Sequence, residues 1–336
     1  MLKKMNEYGT QNIPFLFILD FDLQKPVILS FQEAIDAGIY FNIKGLSNTT
    51  LSSPIPKSIH FEKYPLSFHD YKIAFDYVQK YLRLGNSFLT NLTFPTPIVT
   101  NLSLRQIFDH NDAPYRLIFK DQFTVFSPES FVQIDAHGKI SSFPMKGTID
   151  ARLPYAAEHL LNDPKERAEH NTIVDLIRND LSRVAKKVRV EKFRYLDRIK
   201  TWDKELLQMS SKIVGQLPDD YAAHLGDIFE QLLPAGSICG APKHKTVEII
   251  KTAEGYKRGY YTGVFGYYKN GRIESGVMIR FIENIAGQLY YKSGGGITVY
   301  SQAAKEYQEL MDKIYVPIHR EHSGIQWSDR EPILAC

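Results

Sequence analysis

The sequence has 336 residues, of which 43% are hydrophobic and 24% charged, with a net charge of +3 at neutral pH. A chain of this length and balance can bury a large core as one large domain or two, and so small a charge does not point to nucleic acid. No apolar run approaches the ~20 residues of a membrane span, Met1 to Glu7 lacks a signal-peptide core, and only two cysteines, Cys239 and Cys336, far apart, fit a reducing cytoplasm without a disulfide framework.

In chain order, residues 13–19 and 26–29 read as two strands about a turn at 20–25. Residues 44–66, rich in Ser, Pro and Lys, read as a loop. Ser67-Phe68-His69-Asp70 caps a helix to about residue 84, with apolar positions Ile73, Phe75, Val78, Tyr81 and Leu82 and Gly85 as its stop. A strand over 87–93 and a short helix over 103–108 follow. Residues 116–126 alternate as strands do around Asp121-Gln122, and 131–134 with 139–143 flank a hairpin at His137-Gly138. Pro144-Met145-Lys146-Gly147-Thr148 reads as a loop. Asp163-Pro164 then opens a long helix whose apolar stripe is Ile173, Leu176, Ile177, Leu181, Val184 and Val188. A strand over 190–195 follows, then a stretch over 202–215 that mixes helix and strand signals. After a helix over 221–232 comes a small-residue loop over 234–243, with Pro242 starting another helix to about residue 253. Strands over 259–268 and 272–282 flank the turn pair Asn270-Gly271, and a third covers 288–291. Gly294-Gly295-Gly296 then bares the backbone, and Ser301 is a candidate cap for a last helix. The tail after Val316 is polar and peripheral. Strands cluster in blocks and helices in others, which predicts an α+β fold with antiparallel sheets.

The chemistry concentrates in a few places. On the last helix Glu306, Glu309 and Lys313 sit at i, i+3 and i+7 and share one face, while Tyr307, Leu310 and Ile314 point elsewhere. Glu166 and Glu169 repeat the i, i+3 spacing at the start of the helix from Asp163. A lone Glu-x-x-Glu is usually a solvated face. Two helices each offering an acidic pair could face one magnesium, whose hard oxygen ligands include substrate and water. Lys146, after an apolar strand and before Gly147, is a candidate amine nucleophile, although a loop lysine is more commonly just exposed. Glu129, at the turn Ser127-Pro128-Glu129-Ser130, is a candidate general acid or base. The 234–243 loop offers backbone N–H groups to a carboxylate. Arg280, flanked by apolar residues in a strand, needs a partner from protein or ligand, and Tyr261 and Arg258 precede the same hairpin. Together these describe a site for a small polyanionic acid.

These motifs resemble the chorismate-utilising enzymes, a family that includes anthranilate synthase component I, aminodeoxychorismate synthase component I and the isochorismate and salicylate synthases. The matching stretches are Ser127-Pro128-Glu129, Pro144 to Thr148, Ala168-Glu169-His170, Asp175 to Leu181, Pro234 to Lys243, Arg258 to Gly263, Ile279-Arg280 and Gly294 to Lys313. They occur in the family's order over about residues 68–316. The resemblance implies one large domain of two stacked antiparallel sheets flanked by helices. Residues 1–66 would be short strands and a loop of that same domain, 67–316 the chorismate-binding catalytic part and 317–336 the tail.

Anthranilate synthases have alanine where this chain has Lys146, and a lysine there is similar to aminodeoxychorismate synthase. The roles then implied are Glu169 and Glu309 on magnesium, with Glu166 and Glu306 as partners one shell out. Lys146 would add at ring C2 of chorismate, with Glu129 as general acid for the leaving 4-hydroxyl. Ammonia would then displace Lys146 to give 4-amino-4-deoxychorismate, a transferase step toward p-aminobenzoate and folate. Tyr261, Arg280, the backbone of Gly294, Gly295 and Gly296, and Lys313 would hold the pyruvyl carboxylate. Thr148 and Ser237 would line the ring. A glutamine amidotransferase subunit is the implied ammonia source. Three departures stand out: Gln208 where anthranilate synthases carry histidine, Cys239 where the loop often has Thr or Ser, and a short, poorly matching stretch before residue 68. The competing readings are anthranilate synthase component I, isochorismate synthase, and a non-catalytic binding subunit that retains the fold. The last is disfavoured by both acidic pairs and Lys146.

Overall fold

Short apolar alternations separated by turn residues become strands, and the computed structural model of the protein describes residues 2–50, 52–200, 205–318 and 327–328. The chain begins with α1 (Lys3–Thr10), β1 (Phe15–Leu19), β2 (Val27–Ser30), α2 (Phe31–Asp36), β3 (Ile39–Ile43), β4 (Leu46–Ser47), β5 (Ile59–Lys63), α3 (Phe68–Arg83) and β6 (Leu89–Thr100). It continues through α4 (Leu104–Asp109), β7 (Tyr115–Phe119), β8 (Phe123–Ser127), β9 (Ser130–Ile134), β10 (Lys139–Ser142) and β11 (Met145–Asp150). Next come α5 (Ala156–Asn162), α6 (Pro164–Ser182), β12 (Lys186–Lys200) and β13 (Glu205–Gln216). A 3-10 turn over Tyr221–His224 leads into α7 (Leu225–Leu232), α8 (Gly236–Cys239), β14 (Gly240–Ala241) and α9 (Lys243–Glu254). The last part is β15 (Val264–Lys269), β16 (Arg272–Val277), β17 (Phe281–Ile285), β18 (Gln288–Ile297), α10 (Ala303–Asp312) and β19 (Trp327–Ser328).

One sheet has the order β11-β13-β10-β9-β16-β15-β1-β2, with β12 beside β13. The other runs β19-β5-β6-β18-β17-β8-β7-β3-β4, with β14 beside β6, and is antiparallel except where β19 joins β5. Leu16, Ile18 and Phe265 of the first sheet meet Phe41, Leu117, Val125 and Phe281 of the second in a dry interlayer. The outer face of the first sheet is covered by Ile173, Ile177 and Phe229 of α6 and α7, and that of the second by Tyr71, Val78 and Leu310 of α3 and α10. This is the stacked antiparallel α+β architecture expected above. Among the described residues no helix is long and apolar enough to cross a membrane.

Local signals translate directly where the chemistry is local. Ser67 accepts from Asp70 N and Ser103 from Gln106 N, so both helices start on a capping hydroxyl. Asn270 and Gly271 both take positive φ, 51° and 72°, as a tight hairpin turn requires. Elsewhere the structure differs. The 44–66 loop contains β4 and β5, and the capping box of Ser30 and Glu33 starts α2, which is not among the expected elements. Ile73 is 60% exposed while Tyr71 and Ala74 are buried, so α3 is rotated from the expected stripe. α6 ends at Ser182, and Val184 and Val188 pack on the core from beyond it.

Residues 144–148 are not a loop: β11 pairs with β13, Met145 opposite Ser210, with a bulge between Lys146 and Thr148. The third C-terminal strand does not stop at Tyr291. It runs through the glycines, Gly294 opposite Thr93, Gly295 opposite Leu92 and Gly296 opposite Asn91. Without side chains they let β6 approach; a Cβ on Gly294 would stand 2.2 Å from Leu92 O. Ser301 does not cap α10. Its Oγ accepts from Thr298 N at 3.1 Å, and Gln302 takes the N-cap place without a side-chain bond. The tail is not wholly peripheral, because Ile318 is buried and Trp327–Ser328 joins β5. Trp202 of the mixed 202–215 stretch, most of 317–336 and Cys336 lie outside the described residues.

Candidate active site

The bare strand is the floor of the site. Neighbouring residues of a strand point to opposite sides. A Cβ built on Gly296 would lie 3.5 Å from Lys146 Nζ, and one on Gly295 would lie 3.2 Å from Glu309 Oε1 and 3.8 Å from Glu306 Oε2. The half-buried Lys146 therefore reaches β18 from β11 on one side, while α10 presents its acidic pair to Gly295 on the other. Gly147 at φ +76° brings α6 close, since its Cβ would meet Glu166 Oε2 at 3.0 Å. Lys313 joins both groups, donating to Gly294 O at 2.8 Å and to Glu309 Oε1 at 2.6 Å. Burial pushes its ammonium below the ordinary value; Glu309 works against this, and Arg280 and Lys146 add to it. Arg280 and Lys146 thus both lie within electrostatic reach of Lys313, an arrangement that favours a bound anion.

Glu129 and Ser237 are also brought together. Ser237 Oγ, on α8, donates to Glu129 Oε1 at 2.6 Å, and Glu129 N donates to Ser127 Oγ at 3.1 Å. Behind them a cavity of about 20 Å³, lined by Phe131, Ser142, Asp180 and Ala235 among others, has room for one water. α8 itself is held by an ion pair behind it, Lys243 Nζ to Asp180 Oδ2 at 2.7 Å. The 234–243 segment is therefore a packed turn rather than an open anion loop. Cys239 within it is fully buried, and burial pushes its thiol up to about 12, an inert group.

Arg280 has φ +52°, and its Nε reaches only the Tyr315 hydroxyl, at 3.4 Å. Among the described residues no carboxylate pairs with it. Burial opposes its charge, but the Tyr291 and Tyr315 hydroxyls outweigh this and hold the guanidinium above its usual range. Tyr261 is buried beside Phe281, its ring 5.8 Å away, and burial pushes its phenol up. Arg258 is different: it is saturated by Glu254 and by protein oxygens, so it braces the fold and is not a site residue. Thr148 lies past the bulge, exposed and opposite Gln208, and hydrogen-bonds to no other candidate residue.

The acidic pairs do not close into a ready cage. Among the described residues no three carboxylate, histidine or cysteine groups are close enough to hold one ion. The donor chemistry nevertheless fits magnesium. Glu169 is 8% exposed and Glu309 offers a carboxylate with a side chain 47% exposed, hard oxygen donors of the kind magnesium takes, and magnesium needs only one or two protein carboxylates. Two neighbours escaped the site residues expected from sequence. His170 Nε2 lies 2.7 Å from Ser211 Oγ, and burial, reinforced by Arg194 and Lys146, pushes it down to about 4. Tyr71 backs the α10 pair, its phenol pushed up by burial and then by Glu306 and Glu309. The helical position of Tyr71 was available in the sequence, but its place under a carboxylate pair was not.

A family model described as chorismate binding enzyme matches residues 28–319. An uncharacterized PabA-like protein of Haemophilus influenzae is 51% identical over 317 residues, covering 94% of this chain and 96% of the relative. Aminodeoxychorismate synthase component 1 of Escherichia coli is 34% identical over 260 residues, covering 73% of this chain but 56% of that protein. Among solved structures, anthranilate synthase component I from Streptococcus pneumoniae superposes with a TM-score of 0.64 at 27% identity, covering 76% of this chain and 58% of that one. The menaquinone-specific isochorismate synthase of Escherichia coli reaches 0.69 at 16% identity, covering 93% and 79%, a likeness of fold.

Proposed function

The chain belongs to the chorismate-binding enzymes, and we propose that it aminates chorismate to 4-amino-4-deoxychorismate, as the component 1 name of its relatives suggests. The observation that carries this reading is Lys146, an amine held against the bare backbone of Gly296, with the acidic pair of α10 against the adjacent Gly295. Its Nζ adds to ring C2 as the C4–O bond breaks, and Glu129, steadied by Ser237, gives the departing oxygen its proton so that water leaves. Ammonia then attacks C4, the C2–N bond breaks, and Lys146 returns as the free amine. Arg280, Tyr261 and Lys313 receive the pyruvyl carboxylate together with the backbone of Gly294 to Gly296, and Thr148 borders the ring.

Glu169 and Glu309 would hold magnesium, with Glu166 and Glu306 behind them. When bound, the ion supplies positive charge for the ring carboxylate. The ammonia source is a separate glutamine amidotransferase, or free ammonium in its absence.

The test is a product assay with chorismate, magnesium and ammonium on the wild type and Lys146→Ala, with excess aminodeoxychorismate lyase in a parallel sample. p-Aminobenzoate from the wild type and its loss in the variant support the reading. Anthranilate with pyruvate, or a fully active variant, overturns it.

A further inference from the structure

Tyr291 is fully buried in β18, opposite Ile282, and among the described residues its hydroxyl has no hydrogen-bond partner. A buried polar group left unmade costs free energy that a phenylalanine of the same shape would not. The hydroxyl is within electrostatic reach of Arg280, Tyr315 and Tyr261. Tyr291 and Tyr315 flank the same ring, each with its centroid 6.1 Å from that of Phe126. Arg280 in turn is covered by Tyr315, which is 42% exposed and whose only bond to the guanidinium is a long 3.4 Å contact. An orphan donor therefore lies near a cation whose hydrogen bonding, among the described residues, is one long contact to a partly solvated tyrosine, with that ring 5.8 Å from the guanidinium.

We propose that Tyr291 is a further substrate-binding residue: the carboxylate that reaches Arg280 displaces the Tyr315 hydroxyl and takes an additional hydrogen bond from Tyr291 Oη. The inference rests on the chorismate reading and adds to it a donor that composition and spacing do not reveal. Charged acceptors reward such a donor more than neutral ones do. The cost of the orphan is paid in the ligand-free protein and recovered on binding, so stability and affinity should respond to its removal in opposite directions.

The experiment is calorimetric binding of chorismate in magnesium buffer, with thermal melts of the ligand-free proteins, on the wild type, Tyr291→Phe and Tyr315→Phe. Tyr291→Phe is expected to bind roughly tenfold more weakly, from loss of a hydrogen bond to a charged group. Without ligand it should melt at or above the wild-type temperature. Tyr315→Phe, which frees Arg280 of its competitor, should bind at least as tightly as the wild type. Unchanged affinity in Tyr291→Phe overturns the inference alone, as does a lowered ligand-free melting temperature, which marks the hydroxyl as a structural partner. Weaker binding by Tyr315→Phe overturns the displacement. A wild type that does not bind chorismate overturns the functional reading and this inference with it.

Discussion

Two arginines on either side of one hairpin behave in opposite ways. Arg258 is 2% exposed and saturated: Nε and Nη2 grip Glu254 at 2.9 and 2.6 Å, Nη1 bonds Ile238 O and Thr262 Oγ1, and Nη2 also bonds Asn91 O. It ties α9, α8 and β6 into one corner. Among the described residues Arg280 has one long bond, to a partly exposed tyrosine, and the Lys313 ammonium lies within electrostatic reach. In the sequence Arg280 reads as an arginine flanked by apolar residues and Arg258 only as a neighbour of the same hairpin. The difference teaches that a buried charge whose donors are all taken is architecture, whereas one left under-bonded is a receptor for an anion.

The comparison breaks most visibly in stability. Arg258→Met leaves Glu254 buried without its cation and should cost about 3–5 kcal/mol in urea unfolding. Arg280→Met should change stability by less than about 1 kcal/mol, because it leaves no buried carboxylate behind. Its effect belongs in kcat/KM for chorismate, which should fall roughly thirtyfold or more, as for a truncated charge pair. Equal destabilisation by the two variants would erase the distinction.

The same contrast is sharpened one strand away. Gly294→Ala drives a methyl to 2.2 Å from Leu92 O and should cost about 1–3 kcal/mol of stability. Gly295→Ala meets only the tip of Glu309 at 3.2 Å, a side chain that can give. Its fold should hold while magnesium affinity, measured by calorimetry, weakens roughly tenfold. A Gly295→Ala protein with unchanged magnesium binding would detach the acidic pair from the metal. The smallest effect is expected at the saturated corner: Thr262→Ala removes one of Arg258's bonds and should cost about 1 kcal/mol in urea unfolding. A drop in chorismate turnover at unchanged stability would instead place that corner in the site.

What the amino-acid order determined by itself is everything carried by neighbours in sequence. Ser67, Ser103 and Asn270-Gly271 specify caps and a turn through bonds that close within a few residues. The i, i+3 acidic pairs follow from helical pitch alone. The two-sheet class came from motifs in a recognisable order, and the same motifs named the candidate site residues; the structure sets Lys146 against Gly296 and Glu309 against Gly295, with Lys313 bonded to Gly294 O. Tertiary structure decided the rest. Pro144 to Thr148 looked like a loop because lysine and glycine are poor strand formers, yet pairing with β13 overrides that propensity. The glycines read as backbone laid bare after a strand over 288–291 and became part of that strand because β6, about 200 residues earlier in the chain, supplies their ladder. Which arginine would be saturated depended on whether Glu254, Ile238 and Asn91 converged on it. That is a property of packing, since hydrogen-bond partners brought from distant segments leave no periodic trace in the chain.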